Sequence, residues 1–256
     1  MTQLILAVQG DSAQKAKRIY TATKGWVDVY KIGIDIFTHS GTRLINWFAD
    51  QDAKVFLDLK FADIPTVVAR AIETCAKLKV TMFTIHTMGG IEMMKMCADH
   101  LNEFCIKKHI KIRPLILGVT ILTSISDKEF ATLWGTGGKV DMSVHITRLA
   151  SLAKKSGVDG VVCSAHEVVA IKKECGKDFL TVVPGIRVIL PESEQVEGME
   201  GTKVLHDDQA RFDTPEAAAR LGADYIVVGR PIIRAIDPVA VIEKIREDIK
   251  KGTSNK

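Results

Sequence analysis

The stretch Leu57-Asp58-Leu59-Lys60-Phe61-Ala62-Asp63-Ile64-Pro65 has the apolar residues of a β-strand, but charged residues interrupt them. Because side chains two positions apart point to the same face of a strand, we expect Asp58 and Lys60 to point the same way. Asp63 should lie just beyond the strand. Pro65 cannot donate to a strand ladder but suits the first turn of a helix, so the stretch predicts a strand, a charged tip and a helix.

In isolation, the same residues also fit a simpler interpretation. Asp58 and Lys60 could form a solvated pair on an edge strand, and Asp63 could be the N-cap of the next helix. Similar strand-to-helix units, however, recur along the whole chain, and several carry a polar residue at the same end. This repetition favours a common site over a set of separate surface pairs.

The composition is that of an ordinary globular protein. Of the 256 residues, 46% are hydrophobic and 26% are charged, which allows a full hydrophobic core. The net charge of +4 is small for this size and gives no indication of nucleic-acid binding. The longest apolar runs, such as Leu115 to Leu122, are too short to span a bilayer, and Met1-Thr2-Gln3-Leu4 lacks the charged region of a signal peptide. We therefore expect neither a nucleic-acid nor a membrane partner.

The five cysteines of the chain are never spaced as C-x-x-C, and most lie among apolar residues. This is typical of buried free thiols in a reducing cytoplasm. We therefore expect a cytoplasmic protein without a cysteine-based metal site. The cysteines are Cys75, Cys97, Cys105, Cys163 and Cys175.

About eight strand–helix units follow one another without a linker-like change in composition. The continuously apolar run Leu4-Ile5-Leu6-Ala7-Val8 is typical of a strand buried on both faces. Such strands alternating with helices predict a parallel sheet, and eight units fit a single-domain (β/α)8 TIM barrel over residues 1–256, with a long lid-like loop at about 188–213. An open doubly wound sheet is the alternative, but Gln9-Gly10-Asp11-Ser12 lacks its usual G-x-G-x-x-G pattern.

Polar residues collect at the predicted C-terminal strand ends, where barrels of this kind carry their active sites. Among them, Lys31, Asp58, Lys60 and Asp63 alternate in sign, so each lysine can be neutralised by an acid and stay protonated where water is excluded. A protonated lysine between carboxylates can act as a general acid toward a carbanion. The polar strand-end residues are Gln9, Lys31, Asp58, Lys60, Asp63, His86, Thr123, Ser124, Arg187 and Arg230.

Gly229-Arg230-Pro231 opens a helix after the eighth predicted strand. The free N–H groups and the dipole of a helix N-terminus favour an anion, and Arg230 offers a guanidinium group to phosphate oxygens. Barrels often bind phosphate near the loops after strands seven and eight. The alternative is a surface arginine that caps a helix.

Five segments of the chain together resemble the orotidine 5'-phosphate decarboxylase family, and they occur in the family's order. They are Asp58-Leu59-Lys60-Phe61-Ala62-Asp63-Ile64-Pro65, Val119-Thr120-Ile121-Leu122-Thr123-Ser124, Pro184-Gly185-Ile186-Arg187, Asp208-Gln209 and Val228-Gly229-Arg230-Pro231. The resemblance implies a homodimeric barrel that decarboxylates a nucleotide, orotidine 5'-monophosphate, to uridine 5'-monophosphate in pyrimidine biosynthesis. It implies no metal and no organic cofactor.

The resemblance also implies roles for residues of this chain. Lys60 would donate a proton to the C6 carbanion, Asp58 would crowd the substrate carboxylate, and Lys31 would bind ribose and order the network. Asp63 would enter the site of the neighbouring subunit. Thr123 and Ser124 would lie beside the pyrimidine, and Arg187, Gln209, Gly229 and Arg230 on the phosphate side. The implied substrate-binding residues are Gln9, Ile64, Thr123, Ser124, Arg187, Gln209, Gly229 and Arg230.

The chain departs from the family pattern in three places. Gln9 stands where the family usually has an aspartate that contacts ribose, and Val67 stands where it usually has a threonine. The segment between Arg187 and Asp208 is longer than in the bacterial members. The first two changes touch ribose recognition and leave the lysine and carboxylate chemistry intact.

Two other functions remain open at the level of sequence. A magnesium-dependent decarboxylase of the 3-keto-gulonate phosphate type shares D-x-K-x-x-D, but it has an acidic metal ligand where this chain has Lys31, and a cation there should repel magnesium. A catalytically idle nucleotide-binding barrel would explain Gln9 and Val67 as signs of decay. We interpret His86 as structural. The acidic residues Glu192, Glu194, Glu197 and Glu200 are interpreted as a solvated lid face.

Overall fold

The computed structural model describes residues 1–135, 141–188 and 213–254 of the chain. Its strands are β1 (Gln3–Val8), β2 (Val29–Gly33), β3 (Val55–Phe61), β4 (Met82–His86), β5 (Leu115–Val119), β6 (Gly160–Val162), β7 (Leu180–Val183) and β8 (Tyr225–Val228). The eight strands are parallel, each hydrogen-bonds to the next in chain order, and β1 also pairs with β8. The predicted (β/α)8 barrel is thereby confirmed, in place of an open doubly wound sheet.

The helices alternate with the strands. They are α1 (Ala13–Thr23), α2 (Ile34–Ala49), α3 (Pro65–Lys77), α4 (Ile91–Lys107), α5 (Asp127–Leu133), α6 (Met142–Lys155), α7 (Val168–Cys175), α8 (Pro215–Leu221), α9 (Arg230–Ile233) and α10 (Pro238–Ser254). Pro65 is the first residue of α3, as the sequence predicted. None of the helices in the described ranges has the length and hydrophobicity that a bilayer crossing requires. The lid-like loop predicted at about 188–213 lies almost wholly outside the described residues, and so do the four glutamates assigned to it.

Side chains alternate between two apolar layers along each strand. One face of the sheet fills the barrel interior, and the other packs against the helices. In β1, Ile5 and Ala7 are interior residues, whereas Leu4, Leu6 and Val8 belong to the layer between the strands and the helices. Strands buried on both faces explain the continuously apolar runs of the sequence.

Three aspartates fasten strands together at the N-terminal end of the barrel. Asp159 is typical of them, because its N–H donates to the carbonyl of Ile116 (3.0 Å) while its carboxylate accepts the N–H of that residue (2.7 Å). The same carboxylate also forms an ion pair with Arg113 at 2.7 Å. Each aspartate directly precedes an even-numbered strand and clamps it to the strand before it. The three are Asp28, Asp159 and Asp224.

We expect Asp159→Ala to lower the free energy of unfolding by about 2 kcal/mol, because it leaves the buried N–H of Ile116 without its acceptor and removes the ion-pair partner of Arg113. Turnover should be unchanged, since the clamp lies at the opposite end of the barrel from the predicted site. Urea unfolding and a kinetic assay measure the two quantities. Asp178→Ala, at an exposed position, is the matched control. Wild-type stability in Asp159→Ala would show that the clamp contributes nothing.

Candidate active site

The interior layer of the barrel changes from apolar to polar near the C-terminal ends of the strands. Val29, Phe56 and Met82 belong to the apolar interior in β2, β3 and β4. Residues two positions further along a strand face the same way. These positions are occupied by Lys31, Asp58 and Thr84. The strand period therefore directs charged and hydroxyl groups into one end of the barrel.

A single carboxylate serves two ammonium groups at this end. Asp58 Oδ2 lies 3.0 Å from Lys31 Nζ, and Asp58 Oδ1 lies 2.9 Å from Lys60 Nζ. The aspartate side chain is only 11% exposed, and the lysine side chains are 20% and 31% exposed. The cluster of Lys31, Asp58 and Lys60 is thus largely withdrawn from water and carries a net positive charge.

The lysines keep Asp58 ionised despite its burial. Burial is the strongest single influence and by itself would raise the pKa of Asp58. The charges and hydrogen bonds of Lys31 and Lys60 together outweigh it and lower that pKa to about 2. At neutral pH the site therefore contains a carboxylate anion.

Asp58 and Lys60 come together through a bulge in β3. The pairing of β3 with β4 is regular up to Leu57 and resumes at Phe61, with a shift in register between them. Three residues of β3 therefore lie opposite one residue of β4, Thr84. Bulges of this kind bend a strand and occur often beside active sites.

Within the bulge, Lys60 has a φ of 51°, in the left-handed region that residues with a side chain seldom adopt. The contact between Asp58 and Lys60 that the sequence predicted is present, but its cause differs from the prediction. Regular strand alternation ends at the bulge, so the left-handed backbone of Lys60, and not a two-residue period, returns its ammonium group to Asp58.

Thr84 is a residue of the site that sequence reasoning missed. Its fully buried hydroxyl donates to Asp58 Oδ1 (3.0 Å) and accepts the backbone N–H of Lys60 (2.9 Å). The available signal was its place in the predicted fourth strand, two residues before the polar end at His86. A threonine there is also an ordinary strand residue, so the signal is weak.

His86 has the structural role that its sequence position suggested. Its Nδ1 accepts the N–H of Met88 (3.3 Å) and thereby caps the short 3-10 turn Thr87–Gly89. Burial, and then the nearby charge of Lys60, lower the pKa of His86. The imidazole is therefore neutral at pH 7.

Two predicted substrate-binding residues meet where β1 and β8 end. The amide nitrogen of Gln9 lies 3.6 Å from the point where a Cβ on Gly229 would stand. Such a Cβ would also come within 3.3 Å of the Ala7 Cβ, so a glycine allows close approach of these strand ends. Arg230 follows directly as the first residue of α9.

The other predicted residues lie on the same rim of the barrel. In the turn after β5, Thr123 is buried and Ser124 is exposed. Beyond β7, the N–H of Arg187 donates to the carbonyl of Asp213 (2.8 Å), which ties the two described ends of the segment beyond β7 together. Gln209 lies outside the described residues.

Asp63 is exposed beyond the end of β3, and its Oδ1 accepts the N–H of its neighbour Ile64 (2.6 Å). Within the described ranges it pairs with neither lysine of the cluster. These same ranges contain no group of three or more histidine, cysteine or acidic side chains that could hold a metal ion.

Comparison with known proteins supports the family resemblance. A family model described as "Orotidine 5'-phosphate decarboxylase / HUMPS family" matches residues 2–245. The chain is 41% identical to orotidine 5'-phosphate decarboxylase of Syntrophus aciditrophicus (strain SB) over 90% of its own length and 85% of that protein. It is 38% identical to the Legionella pneumophila (strain Lens) enzyme over 96% and 99% of the two chains. The crystal structure of the Lactobacillus acidophilus enzyme superposes with a TM-score of 0.77 at 32% identity, covering 97% and 99% of the chains.

The lowered pKa of Asp58 predicts a pH-dependent contribution to stability. A carboxylate with a depressed folded-state pKa stabilises the fold above its unfolded-state value, and this stabilisation is lost as pH falls toward the folded value. For Asp58 it amounts to about 2 kcal/mol at pH 7, and about half of it is lost by pH 3.

We therefore expect the difference in free energy of unfolding between wild type and Asp58→Asn to shrink as pH falls from 4 toward 2. Urea unfolding at pH 5, 4, 3 and 2 measures this difference. A difference that stays constant over that range would contradict the ion-pair origin of the shift.

Proposed function

Since the chain belongs to the orotidine 5'-phosphate decarboxylase family, we propose that it converts orotidine 5'-monophosphate to uridine 5'-monophosphate and CO₂ in pyrimidine biosynthesis. The observation that carries the proposal is the buried Asp58 carboxylate held between the ammonium groups of Lys31 and Lys60. A net positive cluster at the C-terminal end of a barrel suits an anionic nucleotide. The proposed location of the reaction is the cytoplasm, because five buried free cysteines fit a reducing compartment.

The cluster supports a reaction without a cofactor. The bond between C6 and the carboxylate carbon breaks, CO₂ leaves, and the electron pair remains on C6. Lys60 then transfers an ammonium proton to C6 and regains a proton from solvent. The two positive charges stabilise the developing carbanion, and the ionised Asp58 repels the substrate carboxylate but not the departing neutral CO₂.

We carry the binding roles of the rim residues over from the family resemblance. We assign Lys31 and Gln9 to ribose, and Thr123 and Ser124 to the pyrimidine. Because phosphate often binds after strands seven and eight of such barrels, Arg187, Gly229 and Arg230 are assigned to phosphate. The proposed contacts of Ile64 with substrate and of Gln209 with phosphate complete the set, the latter from outside the described residues.

A homodimer with shared sites is part of the proposal. Exposed apolar side chains follow the C-terminal ends of the neighbouring strands β2, β3 and β4, on the rim where Asp63 also lies, and exposed apolar surface there suits an interface between subunits. They are Ile34 (53% exposed), Ile64 (63%), Met88 (51%) and Ile91 (52%). Among the described residues, Asp58 is the carboxylate that pairs with both lysines, so the exposed Asp63 of a second copy would supply a further negative charge.

The test of the activity is direct. When purified protein is mixed with orotidine 5'-monophosphate, the orotate absorbance should fall. The rate of this fall should be the same with and without excess chelator. Activity that requires added magnesium would point instead to the 3-keto-gulonate phosphate type, whose metal position Lys31 would oppose. Nucleotide binding without turnover would identify an idle barrel.

Lys60→Ala should lower kcat by about 10²–10⁴-fold or more, because a general acid contributes that much and its loss also unbalances Asp58. Binding of uridine 5'-monophosphate, measured by calorimetry, should weaken much less. Lys60→Arg is the matched control, because it keeps the positive charge but does not release a proton readily. It should also be nearly inactive. Near-normal turnover in either variant would remove Lys60 from the role of proton donor.

Mixed dimers test the shared site. Lys60→Ala and Asp63→Ala should each be nearly inactive as homodimers. If they are unfolded and refolded together, half of the dimers should be mixed, and each mixed dimer should have one intact site. The mixture should therefore recover roughly a quarter of wild-type activity.

The matched control mixes Lys60→Ala with Asp58→Ala, two residues that contact each other within one chain. That mixture should recover nothing, because every site retains a lesion. An Asp63→Ala mixture that also fails to recover, after subunit exchange has been verified, would reject the shared site.

A further inference from the structure

The hydroxyl of Thr84 closes the bulge of β3. In a regular parallel pair, a backbone N–H of one strand donates to a carbonyl of the next. At the bulge, the N–H of Lys60 donates to Thr84 Oγ1 instead (2.9 Å), and this oxygen in turn donates its proton to Asp58 Oδ1 (3.0 Å). The hydroxyl therefore uses its donor and one of its lone pairs, and its residue is fully buried.

These two bonds hold both partners of the Lys60–Asp58 ion pair. One bond supports the backbone of Lys60 in its left-handed conformation, and the other directs Oδ1 of Asp58, which also accepts from Lys60 Nζ (2.9 Å). Without the hydroxyl, Lys60 would lose a bond that offsets its backbone strain, and Oδ1 would lose a donor. The bulge, the carboxylate and the ammonium group would then be free to shift together.

We propose that Thr84 is a positioning residue for the decarboxylation, an inference that rests on the proposed function. It need not touch the substrate. Its hydroxyl keeps the Lys60 ammonium group aligned with the carbon that it protonates, and it holds Asp58 where it faces the substrate carboxylate. Misplacement of a reacting group by about 1 Å can cost about 10²-fold in rate.

The chain contains a matched control at the opposite end of the barrel. Thr181 in β7 is also fully buried, its hydroxyl donates to Asp224 Oδ2 (3.0 Å), and it accepts the N–H of Asp224 (3.3 Å). The hydroxyl has partners of the same kinds as Thr84, a carboxylate and a backbone N–H, and this N–H also donates to the Thr181 carbonyl (3.2 Å). Asp224, however, belongs to the N-terminal clamps and not to the lysine cluster.

The experiment compares Thr84→Val, Thr84→Ser and Thr181→Val. Thr84→Val should lower kcat by about 10²-fold while the affinity for uridine 5'-monophosphate changes much less. Thr84→Ser keeps the hydroxyl and should recover most of kcat. Thr181→Val should lower the melting temperature about as much as Thr84→Val but leave kcat at the wild-type value. If Thr84→Val does not fold, Thr84→Cys takes its place, because a thiol is a poor hydrogen-bonding group of similar size. The kcat of Thr84→Cys should then be lower than that of Thr84→Ser.

Each contrary outcome has a distinct meaning. Unchanged kcat in a folded Thr84→Val variant would overturn the inference and leave a structural threonine. A folded Thr84→Ser variant as slow as Thr84→Val would show that the hydroxyl is not the cause. Equal losses of kcat in Thr84→Val and Thr181→Val would trace both to stability. Wild-type protein that leaves orotidine 5'-monophosphate unchanged would refute the proposed function itself.

Discussion

The candidate site depends on the attraction between one buried carboxylate and two ammonium groups. Removing Lys31, Asp58 and Lys60 from water is costly for each charge alone, and their mutual proximity offsets that cost. A missing carboxylate would leave two cations near each other in a medium of low dielectric constant. The cluster of two lysines and one aspartate carries one excess positive charge, which suits the anionic substrate that we propose.

The barrel separates stability from chemistry by using its two ends differently. At the N-terminal end, the carboxylates of three aspartates accept hydrogen bonds from strand N–H groups and form ion pairs with neighbouring cations. They are Asp28, Asp159 and Asp224. A cavity of about 200 Å³ lies at this end, beside Gln3 and Asp224. It is not the site that we propose, because Asp224 is already bonded to Lys172 and Thr181. The charged cluster at the C-terminal end is the site that we propose.

Local strain and hydrogen bonding are balanced at the bulge of β3. A left-handed residue with a side chain costs free energy and persists only where its surroundings impose it. For Lys60 the surroundings are the Thr84 hydroxyl on its N–H and the Asp58 carboxylate on its ammonium group. Within the bulge, the strain thus falls on the residue whose placement the proposed proton transfer requires.

The sequence by itself determined the barrel and most of the rim. A chain of alternating apolar strands and helices can adopt few architectures. The two-residue period of a strand directs Lys31 and Asp58 to the face of the apolar interior. The sequence also predicted that Lys60 would lie beside Asp58, because the two charged residues are two positions apart at the end of a strand. The family resemblance likewise needed only motifs in order.

The tertiary structure alone decided the bulge, the left-handed Lys60, the role of Thr84 and the ionised state of Asp58. Thr84 acts on residues 24 and 26 positions away in the chain, and such a contact arises only when β3 and β4 pair with their particular register shift. The pKa of Asp58 reflects a competition between burial and two nearby cations, and a sequence specifies neither the burial nor the distances. The types of residues and their spacing are properties of the chain, whereas the register between strands and the local electrostatic environment exist only in the closed barrel.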